Sequence, residues 1–209
     1  MAEALTLHED PRSGNCYKIR LTAALLGLPL VARAYDIMQG ETRTPEFLAT
    51  VNRNGRIPVL QIGEGEAARF LPESNAACIY LAHGSALIPE DRFAQADMLR
   101  WMFFEQNSHE PHIATMRFWL RFVGEARLSD EQRAQMMAKR VAGAAALDLM
   151  NRHLSVQPFL CGEAVTVADI ALFAYTHVAD EGGFRLGMYP AIAAWCDRVR
   201  AVPGFVPMG

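Results

Sequence analysis

Arg12-Ser13-Gly14-Asn15-Cys16 is the first stretch of the chain able to do chemistry. Ser13 and Cys16 stand at the spacing of a Cys-x-x-Cys redox pair, with serine in the first place. Either the motif has lost a sulfur, or the thiol arrives with a ligand. Ser13 also reads as the N-cap of a following helix, Asn15 as a first-turn residue facing solvent, and Cys16 as a small packed side chain. Pro72-Glu73-Ser74 opens another helix, where free amides and a hydroxyl make a site for a small anion. In isolation the better reading is a capped helix with acid in its first turn. Between them lies Arg56-Ile57-Pro58, in which the proline removes a ladder donor from a strand, as at a sheet edge. Arg56 by itself is a solvated turn charge.

These groups must be held by elements, and the sequence supplies them in alternation. Ala4–His8 suggests a strand, and Cys16–Leu26 has helical spacing stopped by Gly27 and Pro29. Leu30–Tyr35 reads as a strand, and Thr44-Pro45-Glu46 as a helix start with cap, proline and acid in order. Asn54-Gly55 turns into the strand Ile57–Ile62, which can pair with Ala67–Leu71 before the helix Glu73–Ala82. The order βαβαββα is followed by a change of character after residues 84–90. The later segments Phe93–Phe122, Asp130–Leu154, Val167–Ala179 and Ile192–Val199 are all helical in period. Thr166-Val167-Ala168-Asp169 is close to a capping box that starts a buried helix.

Composition narrows the function class. With 209 residues, 51% of them hydrophobic, the chain can build one large domain or two small ones. A net charge of −3 gives no strong field for nucleic acid or an anionic membrane. No run of eighteen apolar residues suggests a span, and the N-terminal stretch lacks the pattern of a signal peptide. Four scattered cysteines fit a cytoplasmic protein with reduced thiols. His109 and His112 have helical pair spacing but no third ligand nearby, so no metal is expected.

In this order, Ser13 in the first turn, N-G-R-I-P at 54–58, P-E-S-N at 72–75, V-T-V-A-D at 165–169 and Y-P-A-I-A-A-W at 189–195 resemble the cytosolic glutathione transferases. The resemblance covers almost the whole chain. It implies an α+β fold of two domains: a thioredoxin-like glutathione-binding domain at 1–83, a linker at 84–90 and an all-helical domain at 91–209. The serine followed three residues later by cysteine looks like the theta and delta classes. Ser13-x-Asn15 with Lys18-Ile19 also looks like the bacterial nu-type members, for which disulfide reduction is a leading activity. A beta-class member would carry cysteine at position 13.

The resemblance implies that Ser13 and Asn15 activate the thiol of glutathione, the co-substrate. That thiol has a pKa of ~8.5 when free, so only a few per cent is thiolate at neutral pH. A hydrogen bond to a charged group contributes roughly 1.5–3 kcal/mol, so one good donor lowers the pKa by about one to two units. Ile57, through its backbone beside a cis Pro58, is implied to pair with the cysteinyl unit, and Arg56 to approach the glycyl carboxylate. Glu73 and Ser74 are implied to read the γ-glutamyl ammonium and carboxylate. In the helical half Phe104, Arg117 and Phe118 are implied to wall the second substrate, a hydrophobic electrophile or a disulfide. Aromatic stripes such as Phe103, Phe104, Met116, Phe118 and Trp119 are more often core. The expected protein is a cytoplasmic homodimeric transferase of detoxification type. The alternatives are a glutathione-dependent disulfide or peroxide reductase and a non-enzymatic binding module.

Overall fold

A computed structural model describes residues 3–208; positions 1, 2 and 209, which the two expected domains include, lie outside the described residues. The chain divides into two compact units. One holds residues up to Ser85 together with the segment from Pro203, and the other is Ala86–Val202. The division thus falls inside the expected linker, while the segment 203–208 belongs with the first unit rather than the helical one.

The first unit is built from β1 (Leu5–Glu9), α1 (Gly14–Leu25), β2 (Val31–Ala34), α2 (Pro45–Thr50), β3 (Val59–Ile62), β4 (Arg69–Pro72) and α3 (Ser74–Ala82). The strands form one mixed sheet in the order β2-β1-β3-β4, with β1 parallel to β2 and antiparallel to β3, and β3 antiparallel to β4. Register sets what each face carries. Leu7, Leu60 and Leu71 align across three strands on one face, while α1 and α3 pack on each other and on the sheet. His8 lies on the opposite face, where its ring stacks on Tyr35 at 5.7 Å and Tyr35 meets Phe47 edge-on at 5.0 Å.

Turn chemistry ends these elements where the sequence suggests. Thr44 caps α2 by accepting from the Phe47 amide, and Pro45 occupies the first turn where no donor is needed. Gly55 is required in its turn: at φ +63° any Cβ would stand 2.8 Å from Arg43 Nη1 and 3.0 Å from the Thr42 carbonyl. The segment beyond Pro203 returns to α1, where the Tyr17 hydroxyl donates to the Val206 carbonyl at 2.7 Å.

The helical unit contains α4 (Arg92–Phe104), α5 (Glu110–Arg117), α6 (Asp130–Leu154), α7 (Val167–Thr176) and α8 (Pro190–Arg200). Every residue of α7 is buried, as expected of a helix that is apolar all round. Its one charged residue, Asp169, is fully satisfied: it accepts from the amides of Leu160 and Thr166, the Thr166 hydroxyl and the Trp195 indole. Burial pushes its carboxyl pKa up against those bonds. No helix of the described residues is long and apolar enough to cross a membrane.

The run Phe93–Phe122 differs from the single helical stretch its period suggests. It is α4 and α5 separated by a π-helical turn at Glu105–His109, with a second at Phe118–Val123. Pro111 has no N–H and crowds the carbonyl four residues back, so regular α-helical bonding does not run unbroken from α4 into α5, where the proline sits in the first turn. The wider turn answers this, with the Glu110 amide bonding the Glu105 carbonyl. The second closes with the Gly124 amide on the Trp119 carbonyl, glycine taking φ +86°.

Candidate active site

The site in the first unit follows from strand register. His8 pairs with Val59, and Val59 pairs with Pro72, while Glu9 pairs with Ala34. The end of β1, the start of β3, the end of β4 and the end of β2 therefore share one edge of the sheet. The turn holding Ser13, the Ile57-Pro58 peptide and the Glu73-Ser74 helix start emerge together at that edge, although they are far apart in sequence.

Ser13 is the N-cap of α1, and its Oγ accepts from the Cys16 amide at 3.4 Å. A hydroxyl that accepts in this way keeps its proton for a second partner, so capping and donation to a ligand are compatible. The turn is closed by the Ser13 amide on the Asp10 carbonyl at 2.9 Å. Its base is a charged clasp. Arg12 donates to both oxygens of buried Asp10, and its Nη2 also reaches Asp36 Oδ1 at 2.6 Å. Burial raises the Asp10 pKa, but bonds from Arg12 and the Ile37 amide outweigh it and hold the carboxyl below its ordinary range. The clasp ties the β1 turn to the segment after β2.

Cys16 is fully buried, and burial pushes its thiol up to about 12 despite help from the Ser13 hydroxyl and the Asp10 backbone. A thiol at that value is inert at neutral pH. The protein's own sulfur is thereby removed from the chemistry of this turn.

Asn15 lies half-buried on α1, where its Oδ1 accepts from Ser74 Oγ at 3.4 Å. Ser74 is buried at the start of α3 and also accepts from Lys18 Nζ at 3.4 Å. Residues of two sites that the sequence separates by almost sixty positions are thus in direct contact. Glu73 is exposed and has φ 70°, ψ 110°, a backbone conformation few residues with a Cβ adopt. Such strain persists where surrounding structure enforces it and is concentrated at ligand clamps. The Ile57-Pro58 bond is cis. The Arg56 side chain is exposed, and its carbonyl accepts from Asn52 Nδ2 at 2.9 Å.

The expected wall residues belong to the helical unit. Phe104 packs edge-on against Trp101 at 5.3 Å. Phe118 is exposed and tilted against Phe122. Arg117 is buried, donates from Nε to Glu181 at 2.7 Å and lies over the Phe122 ring. Met116 and Trp119 are core, as stripes of that kind usually are. His109 donates to or accepts from the Thr176 hydroxyl at 2.8 Å. Among the described residues no group of three or more His, Cys, Asp or Glu could hold a metal.

Two features escape inspection of the sequence. Lys18 is fully buried, against the habit of lysine. The Asp10–Arg12–Asp36 clasp joins residues whose charges look like solvated turn residues. The signal for Lys18 was its place on the same face of α1 as Asn15, three residues on.

Comparison with known proteins agrees with both halves of this architecture. Residues 12–83 match the family model for the glutathione S-transferase N-terminal domain, and residues 109–203 the one for the glutathione S-transferase C-terminal domain. A crystal structure of glutathione S-transferase from Pseudomonas fluorescens Pf-5 is 48% identical, with a TM-score of 0.90 and 98% of each chain covered. Glutathione S-transferase 2 of Anopheles gambiae is 30% identical over 200 residues, 93% of this chain and 90% of its own. A glutathione transferase family member from Pseudomonas fluorescens Pf-5, solved with two glutathione bound, shares the fold at 24% identity and a TM-score of 0.82, over 97% of this chain and 90% of its own. With both of its halves matched, and a relative aligned along nearly the full length, this chain belongs to the glutathione S-transferase family.

Proposed function

We propose that the protein is a glutathione transferase that binds glutathione at the sheet edge of its first unit and converts the bound thiol to thiolate. The observation that carries this reading is the meeting of the Ser13 turn, the Ile57-Pro58 peptide and strained Glu73 at one edge, beside a Cys16 held protonated. A nucleophilic sulfur at that edge has to come with the ligand. The thiol proton leaves to solvent, while Ser13 donates a hydrogen bond from its hydroxyl to the sulfur, Asn15 assists with its amide, and the amides opening α1 add positive potential. Glu73 takes the γ-glutamyl ammonium and Ser74, through its backbone amide at the start of α3, the carboxylate; Ile57 pairs through its backbone with the cysteinyl unit, and Arg56 approaches the glycyl carboxylate. Phe104 and Phe118 are the proposed apolar contacts of the second substrate, with Arg117 engaged to Glu181 and so a positioning group more than a free cation. Cytoplasmic location and a homodimer complete the proposal.

A second reading is favoured by the Asn15–Ser74 contact, which builds Asn15 into the site as in the nu-like pattern: reduction of a disulfide or peroxide. Both reactions begin with the same thiolate. A binding module without chemistry would keep the γ-glutamyl contacts alone.

The test is the ultraviolet thiolate difference spectrum of the protein with glutathione at neutral pH, alongside Ser13→Ala and Asn15→Ala. A thiolate band that disappears in one variant is expected. Saturation by calorimetry without any band would leave a binder and overturn the transferase reading.

A further inference from the structure

Lys18 stands one turn after Asn15 on α1, and its Nζ donates to two residues opening α3: Ser74 Oγ at 3.4 Å and Asn75 Oδ1 at 3.3 Å. Ser74 Oγ in turn donates to Asn15 Oδ1 at 3.4 Å. The polarity of this chain is forced at its origin. An ammonium has three donors and no acceptor, so Ser74 can only receive from Lys18. The single serine proton is then directed to Asn15, whose oxygen accepts it. The carboxamide carries oxygen and nitrogen on opposite branches, so engaging Oδ1 turns Nδ2 away from Ser74.

From this chain we propose that Lys18 is a positioning residue for thiol activation: a buried cation that fixes the Asn15 amide with its donor end turned toward the ligand sulfur. The proposal rests on the thiolate reading given above. Without the ammonium, the Ser74 hydroxyl is free to donate or accept in either direction, and Asn15 loses its fixed sense. A flipped amide would present oxygen lone pairs to an anion. The buried charge also lies one turn along α1 from Asn15, where its positive potential favours the anionic sulfur.

The experiment is a pH titration of the thiolate absorbance of bound glutathione, at saturation set by calorimetry, for the wild type, Lys18→Met, Lys18→Arg and Ser74→Ala. The wild-type titration is expected below the ~8.5 of a free thiol. Lys18→Met should raise it by about one unit, roughly a tenfold loss of thiolate near neutral pH, with a smaller change in glutathione affinity. Lys18→Arg, still charged and donor-only, should keep at least half of the wild-type shift. Ser74→Ala cuts the chain in its middle and should move the titration in the same direction; it supplies the readout if circular dichroism shows Lys18→Met unfolded. A folded Lys18→Met or Ser74→Ala that titrates like the wild type overturns the proposal and leaves the thiolate reading standing. Lys18→Arg performing no better than Lys18→Met means a packing role and overturns it equally. A wild type without thiolate absorbance at saturation defeats the underlying reading, and this proposal with it.

Discussion

Arg12 holds Asp10 with two parallel bonds, Nε to Oδ1 at 2.9 Å and Nη2 to Oδ2 at 2.6 Å, while the carboxylate itself is only 1% exposed. The paired geometry matches a guanidinium to a carboxylate, and the buried partner makes it consequential. Arg12→Ala leaves Asp10 buried without its fork. The expected loss is about 1–2 kcal/mol of unfolding free energy, because solvent at the half-exposed guanidinium screens part of the interaction. Urea denaturation measures it. Since the folded Asp10 pKa is depressed, its contribution is present above the unfolded value of ~3.9 and is lost as pH falls through the folded one. The Arg12→Ala and wild-type stabilities should therefore converge at strongly acid pH.

His8 should make the first unit sensitive to milder acid. Its Nε2 faces Gln61 Oε1 at 3.0 Å, the Gln61 amide nitrogen being engaged with the Gly63 carbonyl, so Nε2 carries the proton and Nδ1 accepts from the Tyr35 hydroxyl. Burial lowers the His8 pKa, with Arg33 adding to the effect and the Gln61 bond opposing it. A base with a lowered folded pKa binds fewer protons than the unfolded chain. Stability is then full above the ordinary value of ~6.5 and falls as pH drops through it. Unfolding midpoints between neutral pH and pH ~5 should decline in the wild type, with a shallower slope in His8→Gln.

Glu73 combines strain with a proposed ligand contact, and substitutions separate the two. Glu73→Gly removes the side chain and also the cost of φ 70°, expected to raise stability by about 1 kcal/mol. Glu73→Ala keeps the strained backbone. Both should weaken glutathione binding, whereas thermal melting should rise for glycine alone. A glycine variant with unchanged affinity would remove Glu73 from the site.

Ser13 can be tested for its two duties in the same way. Ser13→Ala should cost about 1 kcal/mol of stability as a lost cap and abolish the thiolate band. Ser13→Asp keeps a capping oxygen but sets a negative charge beside the sulfur. It should melt near the wild type and show no thiolate.

Cys16→Ala should leave glutathione-dependent turnover close to the wild-type rate, since its thiol stays protonated and buried. Alkylation of the folded protein at neutral pH should spare buried Cys16, Cys78 and Cys196 and be slow at Cys161, which is partly exposed but whose thiol burial also pushes up to about 12. Complete loss of turnover on replacing Cys16 would return the chemistry to the protein's own sulfur.

The strand and helix order of the first unit was legible because its boundaries are written in local chemistry: the Thr44-Pro45 start, the Asn54-Gly55 turn and the Ser13 cap. The candidate site was legible through residue types at family spacing, and its edge location follows from strand register. Lys18 was not legible as a site residue, because burial of a lysine depends on a helix nearly sixty residues away. The break between α4 and α5 was hidden for the opposite reason. Glu105–His109 carries no apolar residue whose period could register the wider turn, and Pro111 marks only one point of a change spread over a full turn. The Asp10–Arg12–Asp36 clasp leaves no periodic signal at all.

The return of residues 203–208 to α1 orders events during synthesis. The sheet of the first unit and its helices leave the ribosome early, yet the carbonyl of Val206 that receives the Tyr17 hydroxyl follows only after the entire helical unit. Gly204 is fitted against α1 so closely that a Cβ there would stand 2.9 Å from the Ala24 carbonyl. The nascent first unit must therefore wait, unfastened on that side, until translation has passed through its neighbour, and a fragment cut at Ser85 would never receive its buckle.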